Sequence, residues 1–385
     1  MGPQMVQIKG DWLTAAPLQA VLSCLTAGGH QAFLVGGAVR NALLGQPVAD
    51  IDIATDAAPL RVTALASAAG LRVVPTGFDH GTVTVIVDGV PHEVTTFRRD
   101  VATDGRRAVV AFSDQLAEDA ARRDFTINAL YADAAGAVTD PVGGLADIAA
   151  RRVRFVGNPS MRIREDYLRV LRFFRFFAWY GDPAQGIDAE GLAACTALSA
   201  GTETLSRERI GSELRKLLAA PDPAPAVAAM QSTGILARVL PGSDAQSLAV
   251  LVHLEDGVAA DWRRRLALLG GAGVGDALRL SRDEDRHVAD LRACALNGQS
   301  AGEIAYRLGS AMARDAGLIR SALTGRALPP DWAKAAQRGA AAVFPVSAAD
   351  LMPALQGRAL GARLRDLETR WIASGFELSR EQLLG

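Results

Sequence analysis

The stretch Phe33–Gly45, FLVGGAVRNALLG, followed four residues later by Asp50–Thr55, DIDIAT, decides the fold of this chain. The apolar run Phe33 to Val35 meets Gly36-Gly37 and then a helical pattern through Leu44, which reads as strand, tight turn, helix. After Gln46-Pro47, the sequence Asp50-Ile51-Asp52-Ile53 alternates strictly between polar and apolar. Such a period of two predicts a strand with one polar face, and both carboxylates on that face. Just upstream, residues 13 to 28 have helical spacing and stop at Gly28-Gly29.

Downstream, residues 82 to 97 read as a hairpin, two β-rich runs joined by Asp88-Gly89, the preferred chemistry of a two-residue turn. Pairing Val87 with Val90 sets the register. It puts Val83, Val85, Val87, Val90 and Val94 on one face and Thr82, Thr84, Glu93 and Thr95 on the other, so Glu93 is exposed on a sheet face. Asp100 to Asp119 is polar and weakly patterned and is expected to be largely a loop. From Arg122 the pattern turns helical, with Asp124 to Leu130 expected as helix. Asp133 to Gly144 reads as a turn-rich strand pair closing an α/β region near residue 150. Beyond it the period is helical almost throughout, with helices expected at 160 to 180, 186 to 200 and 206 to 220. Pro221, Pro223 and Pro225 interrupt the chain after that. The expected organisation is a domain at 1–150, a helical one at 151–220 and a further helical region at 221–385.

The chemistry sits where these elements meet. Asp50 and Asp52 offer carboxylate oxygen to hard divalent cations, and Glu93 is a third carboxylate on the neighbouring hairpin. In nucleotidyl transfer such carboxylates hold ions that activate a hydroxyl and bridge nucleotide phosphates. Backbone N–H groups at Gly36 and Gly37 suit triphosphate oxygens, and Arg40, one turn on, adds a cationic contact. A Rossmann turn is excluded because the three-glycine spacing is missing.

Composition narrows the class. The 385 residues carry a net charge of −1, are 49% hydrophobic and 22% charged, which suits a multidomain globular chain. The charge sum speaks against a nucleic-acid partner, yet arginine is concentrated at 98–107, 122–123 and 151–175. Cys24, Cys195 and Cys294 are too scattered for a disulfide framework or a thiolate metal site. No apolar run reaches the roughly 18 to 20 residues of a membrane helix, and no signal-peptide core is seen, so the expected location is cytoplasmic, with no membrane partner. Oligomeric state has no sequence signature.

The quoted run Phe33–Thr55 closely resembles the catalytic motif of class II tRNA nucleotidyltransferases (CCA-adding enzymes) and the related bacterial poly(A) polymerases. Three further runs resemble the family's motifs in order: Arg122–Tyr131, RRDFTINALY; Arg164–Phe176, REDYLRVLRFFRF; and Leu205–Leu214, LSRERIGSEL. The family usually carries Asp where this chain has Asn41. The likeness fades after residue 220, and neither His253 nor His287 begins the His-Asp pair of the phosphohydrolase domain found in some relatives.

The resemblance implies a polymerase-β-like nucleotidyltransferase domain, a mixed sheet flanked by helices, followed by an all-α region. It implies addition of C and A to the tRNA 3′ end from CTP and ATP, with Mg²⁺, two ions, held by Asp50 and Asp52. It further implies Arg123 on the phosphates, Asp124 on the ribose hydroxyl, and Asn128 holding that motif in place. Asp166 and Arg169 would imitate a base-pairing edge, with Glu165 orienting Arg169. Arg172 and Arg175 extend the stripe towards the nucleotide. Cytosine and adenine both offer an amino donor beside an unprotonated ring nitrogen, which a carboxylate and a guanidinium match. Phe173, Phe174, Phe176 and Phe177 are expected in the core rather than as stacking platforms.

Two rival readings remain at this stage. One is a poly(A) polymerase or a partial enzyme adding only CC or only A, against which Thr76–Thr82, TGFDHGT, resembles the tRNA enzymes. The other is a non-catalytic RNA-binding relative.

Overall fold

The computed structural model describes residues 6–78, 81–103 and 108–385. Asp79 and His80 of the TGFDHGT run lie outside the described residues. By compactness the chain divides into two units, residues 1–206 and 207–385.

The first unit begins with helix α1 (Ala16–Ala27), opened by Pro17 and stopped where Gly29 takes φ +84°. Its buried side chains Leu18, Val21, Leu22 and Leu25 recur at helical spacing. Strand β1 (Ala32–Val35), helix α2 (Gly37–Leu43) and strand β2 (Asp52–Thr55) follow, then α3 (Pro59–Ala68), β3 (Arg72–Gly77), β4 (Thr82–Val87) and β5 (Val90–Thr96). Among the described residues one sheet runs β3-β4-β5-β2-β1, continued by β8 (Tyr131–Ala132) and β9 (Val138–Thr139). Only β2 and β5 pair parallel; the other neighbours are antiparallel. Of this pair only β9 lies within Asp133–Gly144, the stretch expected to hold both strands; β8 ends at Ala132, just ahead of it.

The hairpin register has Val87 opposite Val90, and Asp88 and Gly89 both take positive φ, +51° and +81°, as a turn matching strand twist requires. Val83, Val85, Val87 and Val94 are buried, while Glu93 is exposed. The same face also buries His92, opposite Val85, at 4% exposure.

Four expectations are corrected. Asp100–Asp119 is not mainly loop: β6 (Arg98–Thr103) pairs with β7 (Ala108–Phe112), and α4 (Leu116–Ala121) follows. The β-branched run Val109-Val110 supplies the strand propensity that the surrounding charge obscured. The segment Asp124–Leu130 is not an α-helix; only a 3-10 turn, Thr126–Asn128, forms. There the Asp124 side chain accepts from the Phe125 amide, and Phe125 is extended to bridge Phe155, so local bonds compete with helix. The expected helix 160–180 is two, α6 (Pro159–Glu165) and α7 (Leu168–Tyr180). Asp166 between them is extended, φ −156°, and its carboxylate accepts from the Leu168 amide. Finally, β2 starts at Asp52, so Asp50 lies in the exposed loop ahead of it.

Phe173, Phe174, Phe176 and Phe177 are all buried, with Phe125 and Phe155 packed among them. α5 (Gly144–Ala149) and α8 (Ala189–Ala197) complete the helices of this unit among the described residues.

The second unit is helical, from Arg207–Leu218 to Arg380–Leu384. Its most buried polar group is Arg264 and Arg265 on the helix Trp262–Leu269. Both donate to Glu255, Arg264 donates also to Asp315, and Arg265 to the carbonyls of Leu218, Ala220 and Pro221. Two cations against two carboxylates leave no net buried charge. No described helix is long and apolar enough to cross a membrane.

His92 Nε2 has no hydrogen-bond partner among the described residues, and burial lowers the pKa of the ring below its usual 6.5. The unfolded chain therefore takes up the proton first as pH falls, so stability is full above about pH 6.5 and declines below it. His92→Leu is expected to flatten the acid side of a denaturation-midpoint profile between pH 7 and 5. An unchanged slope would remove His92 as its source.

Candidate active site

Three elements converge at one end of the central strands. Val35 pairs with Asp52, so Gly36 follows directly beside the first residue of β2. Across the parallel pair Asp52 stands in register with Glu93. The Asp52 carboxyl is pushed above the usual range by burial first, then by Glu93 and Asp50; Arg123 opposes the shift. Asp50, Asp52 and Glu93 thus crowd negative charge that one guanidinium does not neutralise.

That donor set suits a hard divalent cation, since oxygen ligands and uncompensated charge are what such ions stabilise. Among the described residues no three His, Cys, Asp or Glu side chains close into a metal cage. Mg²⁺ characteristically uses one or two carboxylates and completes its shell with substrate phosphate and water. Asp50 and Asp52 fit that pattern.

Gly36 takes φ +69° and ψ −119°, a backbone region essentially reserved for glycine, and a Cβ there would stand 3.7 Å from Arg123 Nη1. Arg123 is aimed by its other nitrogens: Nε donates to the Tyr131 hydroxyl at 2.9 Å and Nη2 to Asp119 at 2.8 Å. Asp119, 1% exposed, also accepts from the Tyr131 hydroxyl, Arg122 and the Arg98 amide. Burial works against its charge, but Arg123, Arg122 and Tyr131 outweigh it and hold the carboxyl below the usual range. The sequence reading missed Asp119 and Tyr131. Asp119 had a signal, since it stands three and four residues before Arg122 and Arg123.

Arg40 is placed differently from the expected phosphate contact. It is 7% exposed, and its guanidinium donates to Asn41, Asn128 and the Tyr180 hydroxyl while lying 4.0 Å over the Tyr180 ring. Burial lowers its pKa. Asn128 in turn donates to Asp124 Oδ1, which also accepts from the Phe125 amide. Asp124 Oδ2 accepts from Arg172 Nε and Nη2, at 2.8 and 2.5 Å. All four acceptor positions of that carboxylate are filled. A ribose hydroxyl would have to displace one of these donors.

Arg169 forms the expected pair with Glu165 and donates to the Arg162 carbonyl at 2.8 Å. Arg162 also pairs with Glu165. Asp166 is fixed by its bond to the Leu168 amide. Arg40, Arg172 and Arg175 lie 5.2, 5.2 and 4.5 Å from the centre of the Phe176 ring. Three guanidiniums thus gather around one ring, with Asp124 paired to the second of them.

Residues 32–154 match the family model described as the poly A polymerase head domain, and residues 186–247 the one described as a probable RNA and SrmB-binding site of polymerase A. A Bacillus pumilus CCA-adding enzyme is 39% identical over 257 residues, 65% of this chain and 62% of that protein. The mouse mitochondrial CCA tRNA nucleotidyltransferase 1 is 40% identical over 202 residues, 52% of this chain. The chain spans 46% of the length of the mouse enzyme in that match. Among solved structures, the Bacillus stearothermophilus CCA-adding enzyme in complex with CTP superposes with a TM-score of 0.73 at 29% identity, covering 95% of this chain and 94% of that one.

Replacing Asp119 by Asn would leave Arg123 without its buried counter-charge. It is expected to lower unfolding free energy by about 3 kcal/mol, the usual cost of breaking a buried pair. Denaturant titration checks this, and a loss under about 1 kcal/mol would mean the pair is not anchoring Arg123.

Proposed function

We propose that this chain, whose residues 32–154 match the poly A polymerase head domain, is a member of that family and adds C and A nucleotides to the 3′ end of tRNA without a template. The observation that carries the reading is the register of Asp52 with Glu93, beside Gly36 and Arg123. In the reaction the tRNA 3′-hydroxyl attacks the α-phosphate of CTP or ATP. A new O3′–P bond forms, the α–β bridging bond breaks, the hydroxyl proton is released and pyrophosphate leaves. No protein nucleophile takes part.

Asp50 and Asp52 would hold Mg²⁺, two ions by family resemblance. Bound there, the metal supplies a lowered hydroxyl pKa and charge neutralisation at the triphosphate. Glu93 adds negative charge beside Asp52. The Gly36-Gly37 backbone comes close to phosphate because no Cβ intervenes. Arg123, pinned by Asp119 and Tyr131, keeps Nη1 towards that turn and meets the phosphates. Arg40 acts through Asn128 rather than on the substrate. Asp124 holds Arg172 and trades one of those bonds for the ribose hydroxyl. Arg172 and Arg175 supply further positive charge to the nucleotide.

Base choice falls to Asp166 and Arg169. Each is tethered by a bond to its own neighbourhood, Asp166 to the Leu168 amide and Arg169 to Glu165. The fixed carboxylate accepts from the amino group of cytosine or adenine, and the fixed guanidinium donates to its ring nitrogen. Guanine and uracil would leave buried polar groups unpaired. The same reading gives catalysis to residues 1–150, base choice to 151–220 and tRNA contact to 221–385, in the cytoplasm.

Three measurements test this. Incubated with CTP and ATP, a tRNA lacking its terminal triplet is expected to gain CCA, read by sequencing its 3′ end. Asp52→Ala should keep tRNA binding while incorporation falls by about 10³-fold or more; undiminished incorporation would refute the carboxylate assignment. Arg169→Ala is expected to narrow the preference for CTP over UTP by at least about tenfold, measured as a ratio of kcat/KM values. A preserved ratio would move base choice elsewhere.

A further inference from the structure

Among the described residues, one side-chain hydrogen bond ties the loop that carries Asp50 to the body of its unit. Helix α2 ends with the Gln46 amide donating to the Asn41 carbonyl at 2.8 Å and Gly45 at φ +65°. Pro47 then turns the chain towards Asp50. Among the described residues, the hydrogen bond that reaches residues 47–49 runs from Asn41 Nδ2 to the Pro47 carbonyl, at 2.9 Å. The other side of the same amide faces Arg40: Asn41 Oδ1 accepts from Arg40 Nε at 3.1 Å and Nη2 at 2.9 Å. Guanidinium nitrogens only donate, so this oxygen is fixed in place and the amide nitrogen must face Pro47. Arg40 is itself held through Asn128 to Asp124 and Arg172 of α7.

We propose that Asn41 is a positioning residue for the reaction: its side-chain amide straps the Pro47–Asp50 loop to the Arg40–Asn128–Asp124 chain. The strap sets where the Asp50 carboxylate stands relative to Asp52. The inference rests on the reading of Asp50 and Asp52 as the reaction's metal-holding pair. An amide serves because its oxygen accepts from the guanidinium while its nitrogen donates to the carbonyl, which an ionised carboxylate cannot do. An Asp at 41, the usual residue in the resembling family, would keep the Arg40 bonds and gain charge pairing. It would also set a carboxylate oxygen against the Pro47 carbonyl, and the tie would be lost.

The test compares full-length wild type, Asn41→Asp and Asn41→Ala. Amide hydrogen exchange over residues 45–52 is expected to be at least about threefold faster in both variants. The half-saturating Mg²⁺ for single-turnover CTP addition should rise about threefold to tenfold, with the KM for CTP changed by less than about twofold. A merely structural loss would not spare KM in this way. If Asn41→Asp matches wild type in exchange and in Mg²⁺ dependence, the proposal is overturned. Should Asn41→Ala fail to fold for want of an acceptor at Arg40, Asn41→Asp alone decides. If wild type itself adds no nucleotide, the nucleotidyltransfer reading fails, and the exchange rates still judge the strap.

Discussion

Like charges facing each other across a strand pair destabilise a sheet, and this sheet holds Asp52 opposite Glu93 at its one parallel seam, with Asp50 close by. The repulsion has few outlets. Neighbouring strands fix the backbone of Asp52 on one side and Glu93 on the other, and Ile53 and Val94 beneath them are fully buried. Separating the two backbone positions would require moving core strands. Burial and, after it, the neighbouring carboxylates raise the Asp52 carboxyl, and the crowded oxygens are a donor set that suits a hard cation.

Two arginines at this end do different work because of where their counter-charges sit. Arg123 spends Nε and Nη2 on Asp119 and Tyr131, which leaves Nη1 by the glycine turn. Arg40 spends its donors inside the fold, on Asn41, Asn128 and Tyr180. One guanidinium is aimed by a buried carboxylate; the other is a bracket joining α2, the 3-10 turn and α7. Polar chains of this kind specify geometry only when each member is satisfied, and Asp124 meets that condition with four donors.

Local chemistry was legible in the sequence, and long-range placement was less so. Asp88-Gly89 and the alternating valines gave the hairpin with its register, because turn type and period two are properties of adjacent residues. The alternation at Asp50–Ile53 gave the strand that carries Asp52 but not its start, since Asp50 lies in the loop ahead of it, and the pairing of β2 with β5 spans some forty residues of chain and leaves no local mark. The break at Asp166 was hidden because Arg164 to Phe176 keeps helical period on both sides of a single capping carboxylate. Arg40 reads as a surface cation on a short helix; its burial depends on Asn128 and Tyr180, 88 and 140 residues away. The β6–β7 hairpin was obscured by charge in its flanks.

In the second unit, Arg265 gathers the carbonyls of Leu218, Ala220 and Pro221, while its neighbour Arg264 looks to Asp315. The carbonyls at and just beyond the end of the helix Arg207–Leu218 are thus met by one residue some forty-five positions later in the chain. Arg265 finds all of these acceptors earlier in the chain, whereas Arg264 keeps one bond open until Asp315, 51 residues on, is in place.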